Sequence, residues 1–154
     1  MKEFRQLTVE DTAEYHKVLI DGYAAIKDFP ITFDAIDFTE EESKEWIENY
    51  PVYGLYIDGQ LVSSVKYSTP DKFPHIAHFV TAPAFKGKGY ARETLGYAEE
   101  LLKTQFKTPA VTLGTAKEHP WLPKMYESFG FKAYDQVHFR GKQHTTVLFK
   151  KDLI

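Results

Sequence analysis

Two glycines and two lysines crowd into the stretch Pro83-Ala84-Phe85-Lys86-Gly87-Lys88-Gly89-Tyr90-Ala91, directly ahead of a segment with helical hydrophobic spacing. A glycine pair leaves backbone N–H groups open to solvent. A helix N-terminus behind it adds its own unpaired donors and the positive end of the helix dipole. Such an arrangement binds anions, most often a phosphate or pyrophosphate. The bland alternative is a glycine turn between two solvated lysines. A Walker-type loop would need Gly-Lys followed by Ser or Thr to hold magnesium, but Lys88 is followed by Gly89. A dinucleotide fingerprint would need a small third residue where Arg92 stands, and a βαβ unit rather than a hairpin upstream. Both of these patterns fail.

Other residues able to move protons flank the loop. His75 and His78 stand on the segment that runs into it, and His119 and Tyr126 follow downstream. A histidine near its reference pKa of about 6.5 suits proton removal, and a phenol near about 10 is protonated at neutral pH and can donate. On an unbroken strand His75 and His78 point to opposite faces, so one of them is expected to reach the site and a His-x-x-His metal pair is disfavoured. No metal is expected. The chain has no cysteine, which excludes a disulfide framework, a thiolate nucleophile and a zinc–thiolate site.

The elements that must position these groups alternate between α and β, without repeats or low-complexity tracts. Phe4-Arg5-Gln6-Leu7 predicts an opening strand. Thr8-Val9-Glu10-Asp11 predicts a capping box ahead of a helix carrying Tyr15, Val18, Leu19 and Ile26. A second box, Thr39-Glu40-Glu41-Glu42, opens a short acidic helix with Trp46 and Ile47. Val52 to Ile57 and Leu61 to Tyr67 predict a hairpin through Asp58-Gly59, and His75 to Thr81 a strand entering the glycine loop. The helix behind the loop, Tyr90 to Phe106, aligns Ala91, Leu95, Ala98, Leu102 and Phe106, and Gly96 within it suggests close approach to a neighbour. Ala110 to Leu113 reads as a short buried strand. A short helix ends at Phe129-Gly130, with Phe131 to Phe139 and Thr145 to Phe149 as a closing hairpin across Arg140-Gly141-Lys142-Gln143.

Length and composition bound the class. The 154 residues, 43% of them hydrophobic, predict a single globular domain over 1–154. A net charge of −3 does not point to nucleic acid as a partner. Met1-Lys2-Glu3-Phe4-Arg5 is charged where a signal peptide is apolar, and no run of about 18 apolar residues occurs. A cytoplasmic location without membrane attachment is the expectation.

Lys86-Gly87-Lys88-Gly89-Tyr90-Ala91, with Thr81-Ala82-Pro83 ahead of it, resembles the pyrophosphate loop of the GCN5-related N-acetyltransferase (GNAT) family. Met125-Tyr126-Glu127-Ser128-Phe129-Gly130-Phe131 is similar to that family's Tyr-x-x-x-Gly-Phe signature. Lys86 stands where Arg or Gln is usual, Thr81 where valine is, and His119 where asparagine is common. The resemblance implies an α/β (α+β) GNAT fold, a mixed, mostly antiparallel twisted sheet of six to seven strands with about four helices. It implies acetyl-CoA as cosubstrate and acetyl transfer to a primary amine of a small molecule or peptide, by direct attack in a ternary complex. Gly87, Lys88, Gly89, Tyr90 and Ala91 would grip the pyrophosphate with Lys86, and Phe79, Val80 and Thr81 would line the pantetheine arm. His119 would be a cofactor or helix-entry contact, Tyr126 the general acid at the sulfur, and His75 or His78 the base. A non-catalytic acyl-CoA-binding module with the same fold is the rival, and a homodimer is an open assembly.

Acceptor selection, by the same resemblance, falls between the first two helices and in the late hairpin. The former holds Tyr23, Phe29, Phe33, Phe38 and Trp46 with Asp28, Asp34, Asp37 and Glu40 to Glu42. Aromatic and acidic residues together suit a cationic amine such as a polyamine, aminoglycoside or peptide N-terminus. A solvated acidic helix over an aromatic core accounts for the same letters. Trp121, between two prolines, either rims the pocket or caps the short helix.

Overall fold

Strand alternation and turn chemistry build the N-terminal half of the sheet. In a computed structural model that describes residues 1–24, 31, 38–68 and 73–153, β1 (Lys2–Gln6), β2 (Val52–Ile57) and β3 (Gln60–Ser68) form an antiparallel run. Asp58 and Gly59 close the β2–β3 hairpin with φ of 51° and 81°, the pair of left-handed residues that a tight type I′ turn requires. β4 (His75–Thr81) adds antiparallel to β3 and leads through Pro83–Phe85 into the glycine loop. β5 (Ala110–Ala116), β6 (Lys132–Val137) and β7 (Thr146–Asp152) complete a seven-stranded sheet of order β1-β2-β3-β4-β5-β7-β6. Among the described strands only the β4–β5 pair is parallel. With α1 (Thr12–Tyr23), α2 (Glu40–Asn49), α3 (Tyr90–Thr104) and α4 (Leu122–Ser128), this is the expected mixed sheet flanked by four helices.

The helices bury their apolar stripes on opposite faces. Leu95, Ala98 and Leu102 of α3 pack with Val65, Tyr67, Ile76 and Val111. Tyr15, Leu19 and Ile47 of α1 and α2 pack with Val52, Leu61 and Val80 on the other side. Each fully buried Leu or Val side chain stabilises by about 1.5–3 kcal/mol relative to exposure. The second capping box closes reciprocally: Glu42 N–H donates to Thr39 Oγ1 and Thr39 N–H to the Glu42 carboxylate, both at 3.1 Å. At the first, Thr8 N–H donates to the Asp11 carboxylate at 2.8 Å. Gly130 N–H and Phe131 N–H close the end of α4 on Glu127 O and Tyr126 O.

Three local expectations are corrected. α3 ends at Thr104, so Phe106 leaves the stripe and is 55% exposed. Gly96 faces open space, with nothing within 4 Å of where a Cβ would stand. The helix glycine that meets a neighbour is Gly22, whose Cβ would lie 2.1 Å from Val80 Cγ2 and 3.3 Å from the Thr81 carbonyl. Finally, β5 continues past Leu113 to Ala116, with Thr115 and Ala116 buried. Ile26, Asp28, Phe29, Phe33, Asp34 and Asp37 lie outside the described residues. Among the described residues no helix is long and apolar enough to cross a membrane.

Candidate active site

The glycine loop becomes an anion cradle through its backbone. Gly87 and Gly89 take φ of +79° and +82°, a region that costs an L-residue roughly 1–2 kcal/mol. Gly89 is the N-cap of α3, so the first-turn N–H groups of Tyr90 and Ala91 point out of the helix end. Among the described residues the N–H groups of Gly87 and Gly89 find no acceptor in the chain. No atom lies within 4 Å of a Cβ built on either glycine, so the loop is open to a ligand. These features fit a pyrophosphate.

A cavity of about 430 Å³ extends from this loop along β4, lined by Phe79, Val80, Thr81, Lys86, Gly87 and Gly89. Tyr90, Ala91 and His119 line it as well. Lys88 does not, and the second cation on its wall is Arg92, which stands 5.2 Å over the Phe129 ring and donates to Ser128 O at 3.4 Å. Trp121 rims the cavity, with Lys86 Nζ 5.8 Å from its ring centroid. His119 is buried and accepts at Nδ1 from the N–H groups of Trp121 and Leu122, both at 3.2 Å. It therefore caps the entry to α4 and keeps its proton on Nε2. Burial and the nearby Lys86 charge lower its pKa to about 4.

The sheet opens beside this cavity. β4 and β5 pair only at His75↔Thr112 and Ile76↔Leu113, which leaves Phe79 to Thr81 without a β5 partner. A bulge drives the opening: Lys66 pairs with Ala77 and Ser64 with Val80, so His78 and Phe79 together stand opposite Val65. His78 absorbs the extra residue at φ +51°, a conformation that strains a non-glycine.

That bulge overturns the expected placement of the two histidines. His75 alternates with Ala77, the register partner of Lys66, and so shares that residue's face. His78, displaced by the bulge, turns to the same side, its ring centroid 3.7 Å from Trp46, over which Lys66 Nζ stands at 4.0 Å. Both imidazoles line a second cavity of about 400 Å³, with Tyr126 on its wall. The two cavities share Tyr23, Phe79 and Leu122 and so meet through the split sheet.

Their environments differ. Burial, then the Lys66 and Lys142 charges, lower His78 to about 2, and its Nδ1 is buried with no hydrogen-bond partner. Burial and Lys66 lower His75 as well. His75 Nδ1 lies 2.9 Å from Thr112 Oγ1, and that hydroxyl donates onward to Pro74 O at 3.4 Å. When the hydroxyl proton points to Pro74 O, the hydroxyl accepts from Nδ1–H and the Nε2 lone pair of His75 is available. Tyr126 is 5% exposed among Phe79, Phe131 and Phe149, and burial pushes its hydroxyl pKa up.

Several wall residues carried no motif. Tyr23 lies at the junction, and burial raises its pKa, with Tyr126 and Tyr15 contributing. Lys142 and His144 reach the second cavity from the β6–β7 connection, where the sequence located only a selection region. The acidic helix behaves as a solvated face: Glu40, Glu41 and Glu42 are exposed, while Trp46 packs edge-on against Phe38 at 4.0 Å. Among the described residues no group of three or more His, Cys, Asp or Glu is placed to hold a metal ion.

A split sheet with an anion loop at one end and titratable groups at the other is the architecture of an acyl-transfer enzyme working between two substrates. The chain belongs to the Acetyltransferase (GNAT) family, whose model matches residues 22–131. It is 34% identical to S-alkylcysteine N-acetyltransferase of Bacillus subtilis (strain 168), over 85% of this chain and 79% of that one. It is 32% identical to S-(2-succino)cysteine N-acetyltransferase of the same organism, over 99% of this chain and 98% of that one. Among solved structures, PaiA N-acetyltransferase from Thermoplasma acidophilum, in complex with coenzyme A, shares the fold with a TM-score of 0.77 at 16% identity. That likeness covers 99% of both chains. The activity is therefore N-acetyl transfer, and the binding-only alternative has no support among these relatives.

Proposed function

We propose that this protein transfers the acetyl group of acetyl-CoA to the α-amine of a small S-substituted cysteine or closely similar amino acid. The observation that carries the reading is the meeting of two cavities at Tyr23, Phe79 and Leu122, one reaching the glycine loop and the other holding His75 and Tyr126. The acceptor class follows the two relatives that act on S-substituted cysteines. Apolar walls from Leu113, Phe139 and Leu148 suit a thioether substituent.

Acetyl-CoA supplies the activated thioester carbonyl. Gly87 to Ala91 hold its pyrophosphate with Lys86 and Arg92, and the unpaired edge at Phe79 to Thr81 lies along the pantetheine path. His75 Nε2 accepts the proton released as the amine nitrogen bonds to the carbonyl carbon. His78, held near 2 by burial, is too weak a base for that role and instead forms the bulge. Tyr126 donates its phenolic proton to the departing sulfur, which its raised pKa keeps available at neutral pH.

Thiol release from acetyl-CoA, measured with S-methylcysteine, S-benzylcysteine, unmodified amino acids and spermidine, tests this reading. Turnover is expected with the S-substituted cysteines. Removal of the general acid in Tyr126→Phe should lower kcat roughly 10²-fold or more. Preference for spermidine would overturn the acceptor class.

A further inference from the structure

We propose that the indole of Trp121 is the stacking platform for the adenine ring of acetyl-CoA, so that the mouth of the first cavity binds the nucleotide half of the donor as well as its pyrophosphate. The inference rests on the glycine loop holding that pyrophosphate. Trp121 is 44% exposed and stands apart from the buried clusters that its neighbours Leu122, Met125 and Tyr126 join. A large aromatic left open at the rim of a cavity presents apolar surface that a ligand can cover. The cap at the entry to α4 uses the backbone N–H of Trp121, which donates to His119 Nδ1 at 3.2 Å, and not its ring. Pro120 and Pro123 restrict the backbone on either side, and the His119 ring meets the indole edge-to-face at 4.4 Å. The indole is thus held in place before a ligand arrives, which lowers the ordering cost of binding.

Position selects the adenine over other parts of the donor. Lys86 Nζ stands 5.8 Å from the indole centroid, and Lys86 leads directly into Gly87 and Gly89, so the ring lies at the pyrophosphate end of the cavity. From the pyrophosphate the donor runs two ways. Its pantetheine arm follows Phe79 to Thr81 toward the junction with the second cavity, and its adenosine leads away from that junction. Trp121 lines the first cavity and not the second, whereas the adjacent Leu122 lines both. The indole therefore stands on the side where the adenine arrives, one ribose beyond the phosphates. Every purine offers a π-face, and an aromatic side chain binds it by stacking without needing further polar groups.

The test compares acetyl-CoA with S-acetyl-4′-phosphopantetheine, which has the arm and a phosphate but no adenosine. Kd is measured in wild type, Trp121→Ala and Trp121→Phe, by calorimetric titration for acetyl-CoA and by displacement of acetyl-CoA for the fragment. Trp121→Ala should weaken acetyl-CoA on the order of ten- to a hundredfold and leave the fragment within about twofold. Trp121→Phe, which keeps a ring to stack on, should retain most of the affinity. Equal losses for both ligands in Trp121→Ala would trace to a disturbed α4 entry and overturn the inference. Unchanged acetyl-CoA affinity in that variant would overturn the role of Trp121 alone. Failure of wild type to bind acetyl-CoA would instead overturn the reading of the loop, and this inference with it.

Discussion

Replacing Gly89 by glutamate should detach acetyl-CoA while leaving the sheet intact. Gly89 holds φ +82° at the N-cap of α3, and a Cβ there meets no atom within 4 Å. Any side chain therefore costs the left-handed penalty of roughly 1–2 kcal/mol in stability without a clash inside the protein. The carboxylate adds a second effect confined to binding. At about 4 Å from a phosphate charge, repulsion is about 1 kcal/mol in water and about 4 kcal/mol at a partly shielded surface. An intermediate value of about 3 kcal/mol corresponds to a Kd raised on the order of a hundredfold. Gly89→Ala has the same backbone strain without the charge, and the difference between the two variants isolates the electrostatic part. Calorimetric titration with acetyl-CoA gives Kd, and urea denaturation gives stability. Added salt should narrow the Glu–Ala difference, since screening acts on charge and not on strain. A folded Gly89→Glu protein with wild-type affinity would place the pyrophosphate elsewhere and refute the reading of the loop.

The two helix glycines should respond oppositely to alanine. Gly96→Ala, in open space, should raise stability by about 0.5–1 kcal/mol in urea denaturation. Gly22→Ala must push Val80 away from 2.1 Å and should lower stability by about 1–3 kcal/mol. Stability should also fall on acidification: His119 titrates near 4 when folded and near 6.5 when unfolded, so below pH 6.5 the unfolded chain binds a proton that the folded one refuses. At pH 5 this amounts to about 2 kcal/mol, most of which should vanish in His119→Asn, which retains an acceptor oxygen for the entry to α4 but does not titrate. His78 acts in the same direction, while Asp11, held near 2 by Arg5, contributes above pH 3.8 and is lost only below it.

What was legible in the sequence follows from how local each signal is. The Asp58-Gly59 turn, the Thr39–Glu42 box and the glycine loop are fixed by contacts within a few residues, and each stands where its letters put it. Gly96 and Gly22 show the limit. Both are glycines inside helices, and only the distance to β4 tells which one a neighbour crowds. The facing of His75 and His78 was illegible for a related reason: it depends on whether β4 carries an extra residue against β3, a register fact belonging to two strands at once. Lys142 and His144 lie in a hairpin connection with no chemical pattern, and they come to line the second cavity as β7 returns beside β5.

The charges around the split sheet bear on how the reaction starts. An acceptor amine must lose its proton before it can attack, so the site needs a neutral base and little tolerance for an ammonium. Lys66 of β3, stacked on Trp46 and Tyr50, lies on the face of the sheet that carries both histidines, and its charge lowers the pKa of each. The β4 bulge is what makes this shared control available, because on a regular strand one imidazole would face α3 instead. Of the two, His75 has its Nδ1 hydrogen-bonded to Thr112 Oγ1 while the buried His78 Nδ1 has no partner, and an Nδ1–H tautomer held this way presents its lone pair at Nε2. On the proposed mechanism the strain at His78 thus has a chemical return. It opens β4 from β5 for the donor and leaves His75 as the base that meets the acceptor.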